Sequence, residues 1–271
     1  MKKILMLIVV LICSACSRQN TFEDPYASGF YFTNSKGTLY EYGDTVTKIN
    51  TDGTKFVGQS NTIALSNTNE KAINIINKKG HIVFRHEPEK SIVSAALNKA
   101  GTLIYYATKD GNIYKYNRST NQTLKYDVNV YPLPKQMILD EQQSRIIYHT
   151  NTNVYTFSLN NNKVEKLMSV SMAIKSIAYH KQSKTIYVSS SVHGKIYKIN
   201  TKTKKRTFIH NPLSVAGTSI CFNSEGTVLY FSSSNGRDVT ISAIDMETGV
   251  IEVAYVLSNM IFLNDFVIKD E

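Results

Sequence analysis

Apolar and polar residues alternate in short runs along most of this chain. From Gly29 onward, segments such as Ile186-Tyr-Val and Leu229-Tyr-Phe are separated by clusters of Asn, Gly, Ser, Lys and Thr. These are strand and turn signals, and no convincing amphipathic helix appears in this region. The pattern repeats. Gly29-FYFTNSKGTLYEY, Thr102-LIYYATKDGNIYKYN, Arg145-IIYHTNTNVYTFSLN, Thr185-IYVSSSVHGKIYKIN and Thr227-VLYFSSSNGRDVTISAID share one shape: an apolar pair or triplet with Tyr, a polar turn, and a second strand. The tyrosines are Tyr31, Tyr105, Tyr148, Tyr187 and Tyr230, spaced by 74, 43, 39 and 43 residues. The first gap is close to two periods, and Lys71-AINIINKKGHIVFRH reads as the intervening unit, with Ile in place of Tyr.

Each unit also has a strand ahead of its Tyr segment: Thr62-IALSN, Ile92-VSAALN, Gln136-MILDE, Lys175-SIAYHK and Thr218-SICFNS. Third and fourth strands follow, as in Gly194-KIYKIN and Lys204-KRTFIH. Four short strands per period of ~40 residues predict an all-β fold, the β-propeller. The first unit lacks a leading strand, and Met260-IFLNDFVIK at the C-terminus is a spare one. The expectation is a six-bladed ring over 29–271, closed by that strand pairing with the N-terminal blade. A seven-bladed ring is the alternative if 127–135 or 210–217 hides strands.

The long apolar run lies at the start. MKKILMLIVVLICSACS has two lysines, nine apolar residues from Ile4 to Ile12, and small residues ending at Cys16. That is an export-signal layout, and with a cysteine at the cleavage point it resembles a bacterial lipoprotein signal. The resemblance implies removal of 1–15 and lipidation of Cys16, with diacylglycerol and a palmitate chain. The family's usual aliphatic three residues before the cysteine is Cys13 here. Cleavage near Ala15 and an uncleaved anchor stay open, although nine apolar residues fall short of the ~20 that span a bilayer. Cys13-Ser-Ala-Cys16 also has C-x-x-C spacing, but its place at the end of an export signal speaks against a redox or metal pair. Residues 16–28 then form a polar tether of ~40 Å at most. By the same resemblance, Ser17 rather than Asp after the cysteine implies the outer membrane, facing the periplasm.

A second resemblance lies in Leu229-YFSSSNGRDVTISAIDMETGVIEVAYVL and, more loosely, Ile186-YVSSSVHGKIYKINTKTKKRTFI, which are similar to YVTN-type propeller repeats. It implies a propeller and no single activity, because that group holds binding proteins and sugar-lactone hydrolases.

Charge and chemistry refine this picture modestly. The chain has 31 basic residues, two of them in the leader, against 21 acidic. An exported basic surface suits anionic lipid, cell-wall polymer or an acidic protein partner, and nucleic acid is not expected. No catalytic motif is found, so neither an enzyme nor a cofactor is expected. With no Trp, WD40 and quinoprotein propellers are disfavoured. Calcium at a propeller channel mouth takes carboxylate and amide oxygens; Asp140, Asn223, Asn264 and Asp265 lie near the ends of predicted first strands, although such residues are also ordinary turn formers. His81, His86, His149, His180, His193 and His210 lack zinc-motif spacing. The basic cluster Lys202, Lys204, Lys205 and Arg206, flanked by Lys195 and Lys198, is either a partner-binding patch or edge-strand protection. Cys221 sits in an apolar run and reads as core.

The expected function is a lipid-anchored envelope propeller that binds protein as an accessory or scaffold subunit of a membrane-associated machine, of the outer-membrane assembly, secretion or pilus type. The alternatives are an exported metal-dependent lactonase or hydrolase, and a ligand- or carbohydrate-binding propeller.

Overall fold

The structure is a computed structural model, and it describes residues 27–34, 38–43, 46–50, 54–59, 63–67, 72–77, 81–215, 217–260 and 263–270. The expected leader, with Cys13, lies outside the described residues, as do Cys16 and the expected tether up to residue 26.

Among the described residues the chain forms strands and one 3-10 turn. At the N-terminal end are β1 (Ala27–Thr33), β2 (Leu39–Tyr42) and β3 (Val46–Asn50). Four-stranded antiparallel meanders follow. The first is β4 (Thr54–Gln59), β5 (Ile63–Asn67), β6 (Ala72–Ile76) and β7 (Ile82–His86). The second is β8 (Ile92–Leu97), β9 (Leu103–Thr108), β10 (Asn112–Asn117) and β11 (Gln122–Asn129). The third is β12 (Gln136–Asp140), β13 (Arg145–His149), β14 (Asn153–Ser158) and β15 (Val164–Ser169). The fourth is β16 (Ile174–His180), β17 (Thr185–Ser190), β18 (Ile196–Asn200) and β19 (Arg206–His210). The fifth is β20 (Ile220–Phe222), β21 (Val228–Ser234), β22 (Val239–Asp245) and β23 (Ile251–Leu257). The chain ends with β24 (Asp265–Asp270).

The expected blade count needs correction. Among the described residues five blades are complete, each built of strands consecutive in the chain: β4–β7, β8–β11, β12–β15, β16–β19 and β20–β23. The unit beginning at Gly29 is not a sixth blade of that kind, because it supplies only three strands. They belong to a composite sheet of order β24-β1-β2-β3, drawn from both ends of the described chain. β24 pairs antiparallel with β1, Tyr31 opposite Val267 and Thr33 opposite Asp265. The seven-bladed alternative fails as well. Residues 127–135 hold the end of β11 and a loop, and the described residues of 210–217 contribute the end of β19 and a single bridge, His193 to Ser214.

The repeat phase also slips by one strand in one unit. Ile63–Asn67 is the second strand of its blade, not the first, and Ala72–Ile76 is the third. Thr54-Lys-Phe-Val-Gly-Gln, the actual first strand, is too polar to advertise itself by alternation.

Burial explains the composition of each strand type. The second strand β9 is almost wholly buried, because neighbouring blades cover both its faces, whereas the outer strand β11 is largely exposed. All five repeat tyrosines are core residues. Tyr31 packs with Leu39, Ile76 and Val267, joining the composite sheet to the β4–β7 blade. On the other side, Phe30, Phe32 and Phe266 pack with Tyr230 and Ile241 of the β20–β23 blade. Phe30 stacks on Tyr42 at 4.8 Å and meets Tyr255 of β23 at 4.9 Å. Cys221, expected in the core, is only half-buried at the margin of this cluster. Gly29 sits at φ +134° where any Cβ would lie 2.1 Å from the Tyr42 carbonyl oxygen, so only glycine lets β1 pass β2 this closely.

The first strands β4, β8, β12, β16 and β20 touch in succession, and β24 touches both β20 and β4. They run the same way. The middle of β16 bonds to the start of β12 through Ile177 N–H and Gln136 Oε1 at 2.8 Å, while its end bonds to the end of β12 through Tyr179 and Asp140. The central channel therefore has two distinct mouths, one where first strands start and one where they turn.

Candidate functional site

The four oxygen donors read from sequence do not converge. Asp140 ends β12 and Asn223 follows β20, placing both at the turn mouth. Asn264 and Asp265 open β24, at the start mouth. Asp140 is buried and is occupied. It accepts from Arg145 Nε at 3.0 Å and from the Tyr179 hydroxyl at 2.8 Å, and Arg145 lies over the Tyr179 ring. Burial first, and the bond to Asp140 second, raise the Tyr179 phenol above its ordinary pKa. Asn223 serves its own turn: Oδ1 accepts from Val228 N–H at 3.1 Å and Nδ2 donates to Thr227 Oγ1 at 2.9 Å. Asn98 does the same at the end of β8, its Oδ1 accepting from Thr102 and Leu103 N–H, both at 2.8 Å. The first-to-second-strand turn thus recruits a side-chain acceptor in both of these blades. Among the described residues, no three His, Cys, Asp or Glu side chains lie close enough to hold a metal ion.

The start mouth holds polar residues that sequence reading passed over. Lys175 Nζ donates to Asn264 Oδ1 at 3.0 Å, reaching past the β20–β23 blade to the composite sheet. Burial lowers the Lys175 amine below its ordinary pKa, while Asp265 opposes that shift and Lys135 adds to it. Ser219 Oγ donates to the Asn264 carbonyl at 2.9 Å, Ser176 Oγ to Ile220 O at 3.3 Å, and Ser189 Oγ to Thr218 O. Hydroxyls thus satisfy carbonyl groups of neighbouring blades that the sheets themselves leave over. A signal for this ring was present: Lys175-Ser176, Thr218-Ser219 and Asn264-Asp265 place two polar residues at the opening of the first strand in successive units.

The six histidines are dispersed. His149 is buried, with Nδ1 2.7 Å from Thr150 O. His86 stacks on Tyr116 at 4.0 Å. His180 and His210 lie against Phe222 and Phe231 of the adjoining blade, at 5.3 and 5.2 Å. Burial lowers the pKa of His86, His180 and His210. His81 stands just before β7 and His193 at the bridge to Ser214.

The basic cluster lies on a blade rim. Lys202, Lys204 and Lys205 form the β18–β19 turn, where Asn200 Oδ1 accepts from the N–H groups of Lys202 and Thr203 at 3.0 and 2.9 Å. Lys204 Nζ reaches Glu165 of the neighbouring outer strand at 2.7 Å. Arg206 lies over the Tyr197 ring at 4.9 Å and lines a shallow cleft with Met172, Ile174 and Ser190. Lys202 and Lys205 are exposed. The cluster belongs to a wider asymmetry. Residues 174–210, the β16–β19 blade, carry nine basic side chains and no acidic one. Residues 220–257, the next blade, carry five acidic side chains and only Arg237 as a base.

The fold is a β-propeller. No family model matches the chain, and no curated protein matches it. Solved structures do. The chain resembles one from the nidogen/laminin complex, with TM-score 0.64 and 11% identity over 88% of this chain and 97% of that one. It resembles TolB from Acinetobacter baumannii, with TM-score 0.63 and 12% identity over 88% of this chain and 65% of that one. A third likeness is to Kuenenia stuttgartiensis hydrazine synthase, with TM-score 0.56 and 10% identity over 74% of this chain and 65% of that one. The chain therefore spans just under two thirds of the latter two. At these identities the likeness establishes architecture and leaves function to the residues.

Proposed function

We propose that this protein is a lipid-anchored propeller of the bacterial envelope that binds another protein, as an accessory or scaffold subunit of a membrane-associated machine. Residues 1–15 are its export signal, Cys16 its lipidated residue, and the outer membrane, facing the periplasm, its location. One observation carries the binding role. The charged groups Asp140 and Lys175 at the two channel mouths are engaged, Asp140 with Arg145 and Tyr179, and Lys175 with Asn264. The rims, by contrast, display charge sorted by blade. A rigid disc with sorted rims recognises partners by charge complementarity. Two structural neighbours lend support, since one comes from a protein complex and another is TolB.

The test is crosslinking in intact cells, followed by purification of the full-length chain from membranes. A defined envelope protein should co-purify, and Cys16→Ser should release the chain from the membrane. A chain recovered without any crosslinked protein would overturn the binding role, and unchanged membrane attachment of Cys16→Ser would overturn the anchor.

A further inference from the structure

Propeller blades end in an outer strand with an open edge, which soluble proteins guard with charge, most often lysine. Five outer strands here follow that rule: Lys48 is on β3, Arg85 on β7, Lys125 on β11, Lys166 on β15 and Arg206 on β19. The sixth does not. β23 reads Ile-Glu-Val-Ala-Tyr-Val-Leu, seven residues with no base and no proline. It ends its sheet, pairing with β22 alone. Ile251, Val253 and Val256 are 42%, 62% and 51% exposed. Its inner side is fastened, Tyr255 lying 4.9 Å from Phe30 and 5.3 Å from Tyr42, so the strand is a fixed template. A bulge at Ala254 divides it into two short pairing stretches.

We propose that β23 is a strand-addition site for an extended segment of a partner protein, in which apolar residues alternate with lysine or arginine. This deepens, and rests on, the reading that the propeller binds protein. Backbone hydrogen bonds along the edge supply affinity and alternate side chains supply specificity. The exposed valines and Ile251 take the apolar residues. Charge selects the basic ones, because Glu252 lies on the strand, Asp245 ends β22 and Glu247 lies in the turn between them, in a blade with one base in all. A second copy fits less well. Its β23 would set one acidic blade against another, and its β19 edge has Arg206, and Lys204 in the turn before it, engaged on Tyr197 and Glu165. An anionic bilayer is repelled by the same acidic groups, and an open strand edge does not enter lipid.

The test uses the full chain and a fluorescein-labelled ten-residue peptide alternating valine with lysine and threonine, with a glutamate-for-lysine peptide as control. Fluorescence anisotropy should show saturable binding of the lysine peptide. Val253→Lys and, separately, Val256→Lys should each weaken it at least about tenfold, and the glutamate peptide should bind weaker by a similar factor. Phe208→Lys on β19 should change nothing. Equal binding of the two peptides, or indifference to both valine variants, overturns the proposal. So does sedimentation showing that β23 joins two copies of this chain. A photoreactive phenylalanine at position 253, and another at position 131 in the exposed loop before β12, separate this proposal from the broader reading. Crosslinks to an envelope protein from 131 alone leave protein binding standing and remove strand addition. Crosslinks from neither position remove both.

Discussion

The blades β16–β19 and β20–β23 are neighbours with the same four-strand plan, yet they solve the problem of packing differently. The first is basic throughout. It meets its neighbours at the channel through hydroxyls, with Ser176 and Ser189 donating to carbonyls of the next blade. It meets the preceding blade at the turn mouth through Tyr179 and Asp140. The second is acidic, and it meets the composite sheet through a cluster of aromatic rings. The contrast teaches that a blade's charge is largely a property of its rim. Seams are built from whichever chemistry the inner strands supply, and rim charge is left available for recognition.

That comparison can be broken at its strongest point first. Phe30→Ala removes the ring shared by the composite sheet and the β20–β23 blade, and should cost about 3–5 kcal/mol. For a chain of this size that lowers Tm by roughly 10 °C, measurable by calorimetry. A change of under ~1 kcal/mol would mean that the aromatic seam is not what holds the ring ends together.

Asp140→Ala attacks the polar seam. It leaves Arg145, with a side chain 15% exposed, and the buried Tyr179 hydroxyl without their acceptor. Removing one member of a buried pair costs about 3 kcal/mol or more, so denaturant midpoints should fall almost as far as for Phe30→Ala. Tyr179→Phe deletes only the hydroxyl bond and should cost about 1 kcal/mol. Equal losses for the two would show that the hydroxyl, not the ion pair, carries the seam.

The junction between the two blades is also pH-sensitive. His180 and His210 rest on Phe222 and Phe231, and burial lowers both pKa values below 6.5. The unfolded chain therefore binds protons more readily in that range. The stabilisation is fully present above pH 6.5 and is lost as pH falls through 6.5 toward the lowered folded values. Tm should drop between about pH 7.5 and 5.5, and a His180→Gln, His210→Gln double variant should flatten that slope. An unchanged slope would locate the dependence elsewhere, with His86 the next group to replace. The smallest effect belongs to the rim. Lys204→Ala breaks an exposed pair with Glu165 and should change stability by less than ~1 kcal/mol. A larger loss would show that rim charge is structural after all.

Much of this architecture was legible in the repeat. Tyr105, Tyr148, Tyr187 and Tyr230 each mark a second strand, because a residue covered by blades on both faces must be large and apolar wherever it recurs. The polar strand Thr54–Gln59 carries no such mark, so alternation alone sets its unit one strand out of phase. The candidate donors were legible as strand-end residues only. Periodicity puts Asp140 and Asn264 on one footing, although strand direction sends them to opposite mouths.

The sequence by itself determined the strand period, the apolar centre of each blade and the charge carried by each one, since alternation, burial and net charge are local properties of a segment. The tertiary structure decided the rest. It set the blade count, so that five uninterrupted blades and one composite sheet of β24 with β1–β3 stand where a six-bladed ring closed by the C-terminal strand was expected. It consumed Asp140 and Asn264 in bonds with Tyr179 and Lys175, side chains that the repeat alone did not bring near. It also left β23 as the outer strand without a base, because which strand lies at an edge depends on sheet order, a property of the folded ring rather than of any single segment.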